Sequence, residues 1–206
     1  MLQFNAIPEI TLDVLKKLMR QSWVSDFNLV GGTALALYWR HRTSEDIDFF
    51  TDKNINLDEL EGKINSISGA NLLSKNPIGR TYMIDEVKCD FVNYPYRFFH
   101  PAQKMDGFTM AHIDDVISLK LGAIANRGAK KDFYDLYYIF QHYTMSQLID
   151  LYKKKFNVAD VLPLIKSIVY FGDAETDLPP ELLQDKSLTW QQVKKFIEKK
   201  VHEQMK

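Results

Sequence analysis

FNLVGGTALALYWRHRTSEDIDFF, residues 27–50, reads as strand, glycine turn, short helix, loop and strand. Phe27 to Val30 is a brief apolar run halted by Gly31-Gly32, and a glycine pair permits backbone conformations and close approaches that a side chain forbids. Thr33 opens a helical run through Ala34, Leu35, Ala36 and Leu37, so the N–H groups of its first turn point toward the glycines and favour an anion there. Asp46, Ile47, Asp48 and Phe49 alternate. Both carboxylates therefore share one face of the second strand while Ile47 and Phe49 turn into a core. Two carboxylates so placed form a hard oxygen site suited to magnesium.

Outward from this stretch, 206 residues suffice for one domain or two small lobes, and a hydrophobic content of 46% is ample for a core. The formal charge of −1 argues against coating by a polyanion, though a locally basic face would escape that count. Cys89 is the one cysteine, which excludes an internal disulfide and a cysteine zinc site and fits a reducing compartment. The N-terminus lacks a basic start followed by an apolar block, and no apolar run is long enough to span a bilayer, so a cytoplasmic location is expected. No serine or cysteine sits in a nucleophile context, and His100, His112, His142 and His202 lack ligand spacing.

The periodicity predicts a helix from Thr11 to about Ser22 with Thr11 as cap, and a second over Leu57–Ile67. Short strands are expected at Asn71–Ser74 and Thr81–Ile84, and another over Val87–Tyr94, where Val87, Cys89 and Phe91 face one way and Lys88 and Asp90 the other. From Ala111 the pattern turns helical, placing a lobe boundary near Pro101. In the helix Ile113–Asn126, Lys120 falls inside the apolar stripe of Ile113, Val116, Ile117 and Ile124. An inward ammonium must either reach the surface along its stem or meet a phosphate or carboxylate. In the next helix Phe133, Leu136, Tyr137 and Phe140 are apolar, with Asp132 and Asp135 at the edge and Lys131 solvated. Further helices are expected over 145–156 and 161–170, and a last one behind a Thr189/Gln192 capping box. Lys153, Lys154, Lys155, Lys194, Lys195, Lys199 and Lys200 offer either a basic flank for RNA or a solvated helix surface.

A phosphate cradle beside a metal-binding acid pair is the core of a nucleotidyl-transfer site, in which metals bridge attacking and leaving oxygens about 4 Å apart. The order GGTALAL, then HRTSEDIDFF, resembles the DNA polymerase beta-like nucleotidyltransferase superfamily and, within it, the AbiEii/AbiGii toxin family. The resemblance implies an α/β (α+β) fold: a nucleotidyltransferase sheet with flanking helices over residues 1–100, and a helical lobe over 101–206 that completes the cleft. It implies two Mg2+ ions on Asp46, Asp48 and a third carboxylate, Asp90, whose alternative is a solvent-facing strand acid beside Lys88. It implies a nucleoside triphosphate held by Gly31, Gly32 and Thr33, where many members have Gly-Ser, and by Arg42 of the RxSxDID string. The LKLGAIANR run assigns Lys120 to phosphate. The match of Lys131-Asp132-Phe133-Tyr134-Asp135 to KDxxD gives Asp132 a role in orienting or deprotonating the acceptor, although an acid near a helix start also simply favours the dipole. The implied activity is transfer of a nucleoside monophosphate to an acceptor hydroxyl, with transfer RNA among the acceptors and an antitoxin as protein partner. The alternatives are a non-catalytic nucleotide- or partner-binding protein and a small-molecule nucleotidyltransferase of the antibiotic-modifying sort.

Overall fold

The computed structural model describes residues 1–204. The chain divides into two compact units, one ending at His112 and the other beginning at Ile113.

Among the described residues the first unit carries a seven-stranded mixed sheet and three α-helices, α1 (Glu9–Met19), α2 (Gly31–Trp39) and α3 (Leu57–Asn65). The strands are β1 (Asn28–Val30), β2 (Ile47–Thr51), β3 (Ala70–Asn76), β4 (Gly79–Ile84), β5 (Val87–Asn93), β6 (Gln103–Met105) and β7 (Phe108–Met110), ordered β3-β4-β5-β2-β1-β7-β6. β2 runs parallel to β5 and β1 parallel to β7, and the other pairings are antiparallel. Alternation sets the faces: Ile47, Phe49, Tyr82, Cys89 and Phe91 are all buried. Phe49 stacks on Phe91 at 5.6 Å between ring centroids, and Phe27 packs edge-on against both. Each such ring stabilises the fold by roughly 1.5–3 kcal/mol through burial. The edge strand β3 differs, because Asn71 to Asn76 are all exposed and its register shifts between Leu72 and Ser74.

Two expectations are corrected here. α1 starts before Thr11, with Pro8 at the N-cap, where a residue lacking an N–H leaves no helical bond unmade. Thr11 is instead buried within the helix, and its hydroxyl donates to the Glu45 carbonyl at 3.2 Å, tying α1 to the loop before β2. The hairpin of β6 and β7 adds two strands beyond Pro101, turning at Asp106 and Gly107, both with positive φ.

The second unit holds α4 (Ile113–Asn126), α5 (Lys130–Ile139), α6 (Met145–Phe156), α7 (Leu162–Ile168) and α8 (Trp190–Gln204). α4 and α6 approach closely because Gly122 faces a ring: a Cβ there would fall 2.6 Å from Phe156 Cζ. Beside that crossing Lys155 pairs with Asp115 at 2.8 Å, both side chains fully buried. Lys155 is therefore removed from any basic flank, and Lys194 is bound to Glu175 at 2.6 Å. The Thr189/Gln192 box opens α8, whose Val193, Ile197 and Val201 are buried. No helix among the described residues is long and apolar enough to cross a membrane.

Candidate active site

β1 delivers the chain to the glycine turn, and its pairing with β2 sets Val30 opposite Asp48. Gly31 adopts φ +72°, a left-handed conformation, and a Cβ on it would lie 1.9 Å from Asp48 Oδ2. The residue must be glycine on both counts. Gly32 is confined by contact alone, since a Cβ there would meet Arg42 Nη2 at 2.5 Å and Ser44 Oγ at 3.1 Å. The buried Arg42 guanidinium thus lies against the turn, and its Nη1 donates to the Thr43 carbonyl at 2.8 Å. Val30, at the N-cap of α2, has no side chain that caps the first-turn N–H groups.

Thr33 is turned inward. Its hydroxyl is fully buried, 3.0 Å from Ser44 Oγ, and donates to the Asp46 carbonyl. The side chain expected at the phosphate instead fixes the backbone that leads into the aspartate strand.

On β2 the register places Asp48 beside Asp90 of β5, and β4 brings Thr81 beside Asp90 in turn. Thr81 Oγ1 donates to Asp90 Oδ1 at 2.5 Å, and Lys88 Nζ donates to Asp90 Oδ2 at 2.8 Å. Partial burial works to lower the Lys88 pKa, yet the hydrogen bond to Asp90 and the fields of Asp90, Asp46 and Asp48 carry it above its ordinary value. The acids thus favour a positive charge beside Asp90, and Lys88 supplies it. This oxygen-only donor set suits a hard divalent ion of the magnesium class. Cys89, on the opposite face, is buried, and burial followed by the same acids pushes its thiol pKa up, so it offers no ligand.

Lys120 and Asp132 belong to the helical unit, where they bond to each other at 2.8 Å. Lys120 also meets Asp135 at 2.7 Å, with side-chain exposures of 7% for the lysine and 0% for Asp135. Asp132, 1% exposed, accepts the Ala129 N–H at 3.1 Å with its other oxygen and so caps α5. The inward ammonium meets carboxylates, and both acids lie in the interior rather than at the helix edge. Lys131 is exposed, as the wheel predicts, and its neighbour Lys130 is buried, donating to the carbonyls of Glu175 and Asp177.

Lys88 and Thr81 escaped the sequence reading as site residues. Alternation already puts Lys88 on the Asp90 face. Thr81 needed the register of the β4–β5 hairpin, whose two-residue turn, Asp85-Glu86, has positive φ at both positions without glycine or asparagine to announce it.

The chain matches the model of the family described as Nucleotidyl transferase AbiEii toxin, Type IV TA system, over residues 13–203. An uncharacterized protein of Aquifex aeolicus strain VF5 is 33% identical over 197 residues, covering 93% of this chain and 94% of its own. Among crystal structures, JHP933 from Helicobacter pylori superposes with a TM-score of 0.55 at 22% identity, covering 97% of this chain and 96% of that one. MenT4, a nucleotidyltransferase toxin from Mycobacterium tuberculosis H37Rv, gives a TM-score of 0.57 at 17% identity over 92% and 84% of the two chains. The fold is that of the polymerase beta-like nucleotidyltransferases, as the resemblance carried by GGTALAL and HRTSEDIDFF implies. On the match over nearly its whole length, the chain is a member of the AbiEii family of nucleotidyltransferase toxins.

Proposed function

We propose that this protein transfers a nucleoside monophosphate from a nucleoside triphosphate to a hydroxyl group of RNA, transfer RNA first among the acceptors, in a divalent-metal-dependent reaction centred on Asp46, Asp48 and Asp90. The observation that carries the reading is the confinement of Gly31 against Asp48: an anion-binding turn and a cation-binding acid share one contact, the juxtaposition a metal-bound triphosphate requires. Gly31, Gly32 and the Thr33 N–H receive the phosphates, with the Arg42 guanidinium in support. Thr33, through its hydroxyl, and Thr81, through Asp90, hold the carboxylates in place. Asp46, Asp48 and Asp90 would hold the magnesium ions, which when bound would neutralise charge at the phosphates and acidify the attacking hydroxyl. The acceptor oxygen forms a bond to the α-phosphorus, the bond to the bridging oxygen of the β-phosphate breaks, and pyrophosphate departs. The hydroxyl proton passes to a carboxylate of the cluster. Lys120 and Asp132 act at one remove in this scheme, holding α4 and α5 together.

The family's designation as a toxin of a toxin–antitoxin system supports growth inhibition countered by an antitoxin protein. The test combines purified protein, magnesium, each α-labelled nucleoside triphosphate in turn and total transfer RNA, with Asp46→Ala alongside. Label on RNA from one nucleotide, absent with the variant, is the expected result. Magnesium-dependent nucleotide binding without labelled RNA redirects the acceptor to a protein or small molecule. No nucleotide binding at all overturns the reading in favour of a non-catalytic protein.

A further inference from the structure

The face of the sheet that carries the acids continues past them into an aromatic shelf. Phe50 lies two residues beyond Asp48 on β2 and pairs in register with Val92, two residues beyond Asp90 on β5. Side chains two apart share a face, so Phe50 and Val92 extend the carboxylate surface by about 7 Å at a rise of ~3.3 Å per residue. Tyr94, a further step on, rests its ring against Phe50 at 5.3 Å, and Tyr96 rests on Tyr94 at 5.4 Å. Phe50 and Tyr94 are half-buried and Tyr96 is 38% exposed, so the rings present area that the core does not use.

This segment is fastened to the end of β2. The Tyr94 N–H donates to the Thr51 carbonyl at 2.6 Å, Asn93 Nδ2 to the Lys53 carbonyl at 2.7 Å, and the Phe98 N–H to Asp52 Oδ2 at 3.1 Å. The rings are thus held on the strand ends rather than carried on a loose loop, the condition for a stacking platform.

The order of the elements supplies the ligand. β1 is antiparallel to β2, so the glycine turn after Val30 lies on the Asp46 side of Asp48, and Phe50 lies on the other. Glycine turn, carboxylates and aromatic shelf follow one another along one strand, in the sequence of triphosphate, α-phosphorus and nucleobase. The interval between Asp48 and Phe50 is about the reach of one ribose.

We propose that Phe50 and Tyr94, with Tyr96 at the rim, form the subsite on which the base of the donor nucleotide stacks. The proposal rests on the reading of the acid cluster as a nucleotidyl-transfer centre. Aromatic faces accept any base, so the shelf confers affinity for a nucleoside over bare polyphosphate rather than choice among bases.

The experiment measures, by titration calorimetry with magnesium and no acceptor, the affinities of a nucleoside triphosphate and of inorganic tripolyphosphate for wild type, Tyr94→Leu, Tyr94→Phe and Phe50→Ala. The expected result is a loss of tenfold or more in nucleotide affinity for Tyr94→Leu and Phe50→Ala, unchanged tripolyphosphate affinity, and wild-type behaviour for Tyr94→Phe. Equal loss of both ligands, or of neither, overturns the shelf while leaving the transfer centre standing. Failure of wild type to bind either ligand overturns both. Tyr94→Leu retains apolar bulk, so it reports on stacking if Phe50→Ala fails to fold.

Discussion

Lys120→Met separates the two uses of an inward lysine. In this structure the ammonium lies 2.8 Å from Asp132 and 2.7 Å from Asp135, and neither acid is more than 1% exposed. Methionine matches the length of the stem and keeps the apolar packing, so the change isolates the charge. Removing one partner of a buried ion pair typically costs about 3–5 kcal/mol, because the remaining charge has neither water nor counter-ion. At roughly 2–4 °C per kcal/mol for a chain of this size, a loss of about 4 kcal/mol lowers Tm by roughly 8–16 °C. Asp132 keeps the Ala129 N–H when the ammonium is lost, and adding Asp135→Asn, which removes one of the two buried carboxylates facing the lost charge, restores part of the loss. Calorimetric and far-UV circular dichroism melts of wild type, Lys120→Met and the double variant measure this without substrate. A Lys120→Met protein that melts with wild type and still loses transfer would refute the reasoning and return the lysine to phosphate binding.

Three further outcomes follow from the geometry. Gly31→Ala combines a left-handed backbone, about 1–2 kcal/mol for a residue with a Cβ, with a clash against Asp48 Oδ2; transfer is lost in the labelling assay while the protein remains folded by circular dichroism. Asp48→Asn relieves repulsion among the carboxylates, so its metal-free Tm is expected to equal or exceed that of wild type, and added magnesium, expected to raise the wild-type Tm by binding the folded state, is expected to leave the variant's unchanged. At alkaline pH the Tyr38 hydroxyl, which donates to the Ala111 carbonyl at 2.8 Å, has its pKa pushed up by burial to about 12. A neutral acid raised in this way contributes stability that is intact below the unfolded value of about 10 and lost as pH climbs through the folded one. Denaturation midpoints therefore fall between pH 10 and about 12, and less steeply in Tyr38→Phe.

Much of the fold could be read from local pattern, because its decisive segments are ones in which propensity and tertiary structure agree. Ile113–Asn126 is helical over the expected span, and the Thr189/Gln192 box begins α8 as written in the sequence. Where two distant segments settle the matter, the reading stopped short. Asp132 and Asp135 looked like edge positions on their own helix, and Lys120 of α4 brings them inside. Lys155 sits in a run of three lysines, indistinguishable from its neighbours until Asp115 buries it. Thr33 was assigned by its place in a motif, whereas its hydroxyl is directed by Ser44 and the Asp46 carbonyl, contacts that exist only once the loop has closed. The β6–β7 hairpin carried a legible sign, Asp106-Gly107, but strands of three residues show too little alternation to confirm it.

The outer margin of β3 bears on how this protein behaves at high concentration. β3 lies at one end of the sheet, bonded on one side to β4, and Leu72 and Leu73 project from it into solvent. Such a margin is a template onto which another extended chain can add, the first step toward open-ended aggregation. Two features oppose that addition: the register break between Leu72 and Ser74, which interrupts the regular spacing of backbone groups, and the charge of Lys75 near the strand's end. Solubility thus rests on one irregular residue and one charge, and deleting Leu73, which would restore even spacing along the margin, leaves Lys75 as the lone guard of that edge.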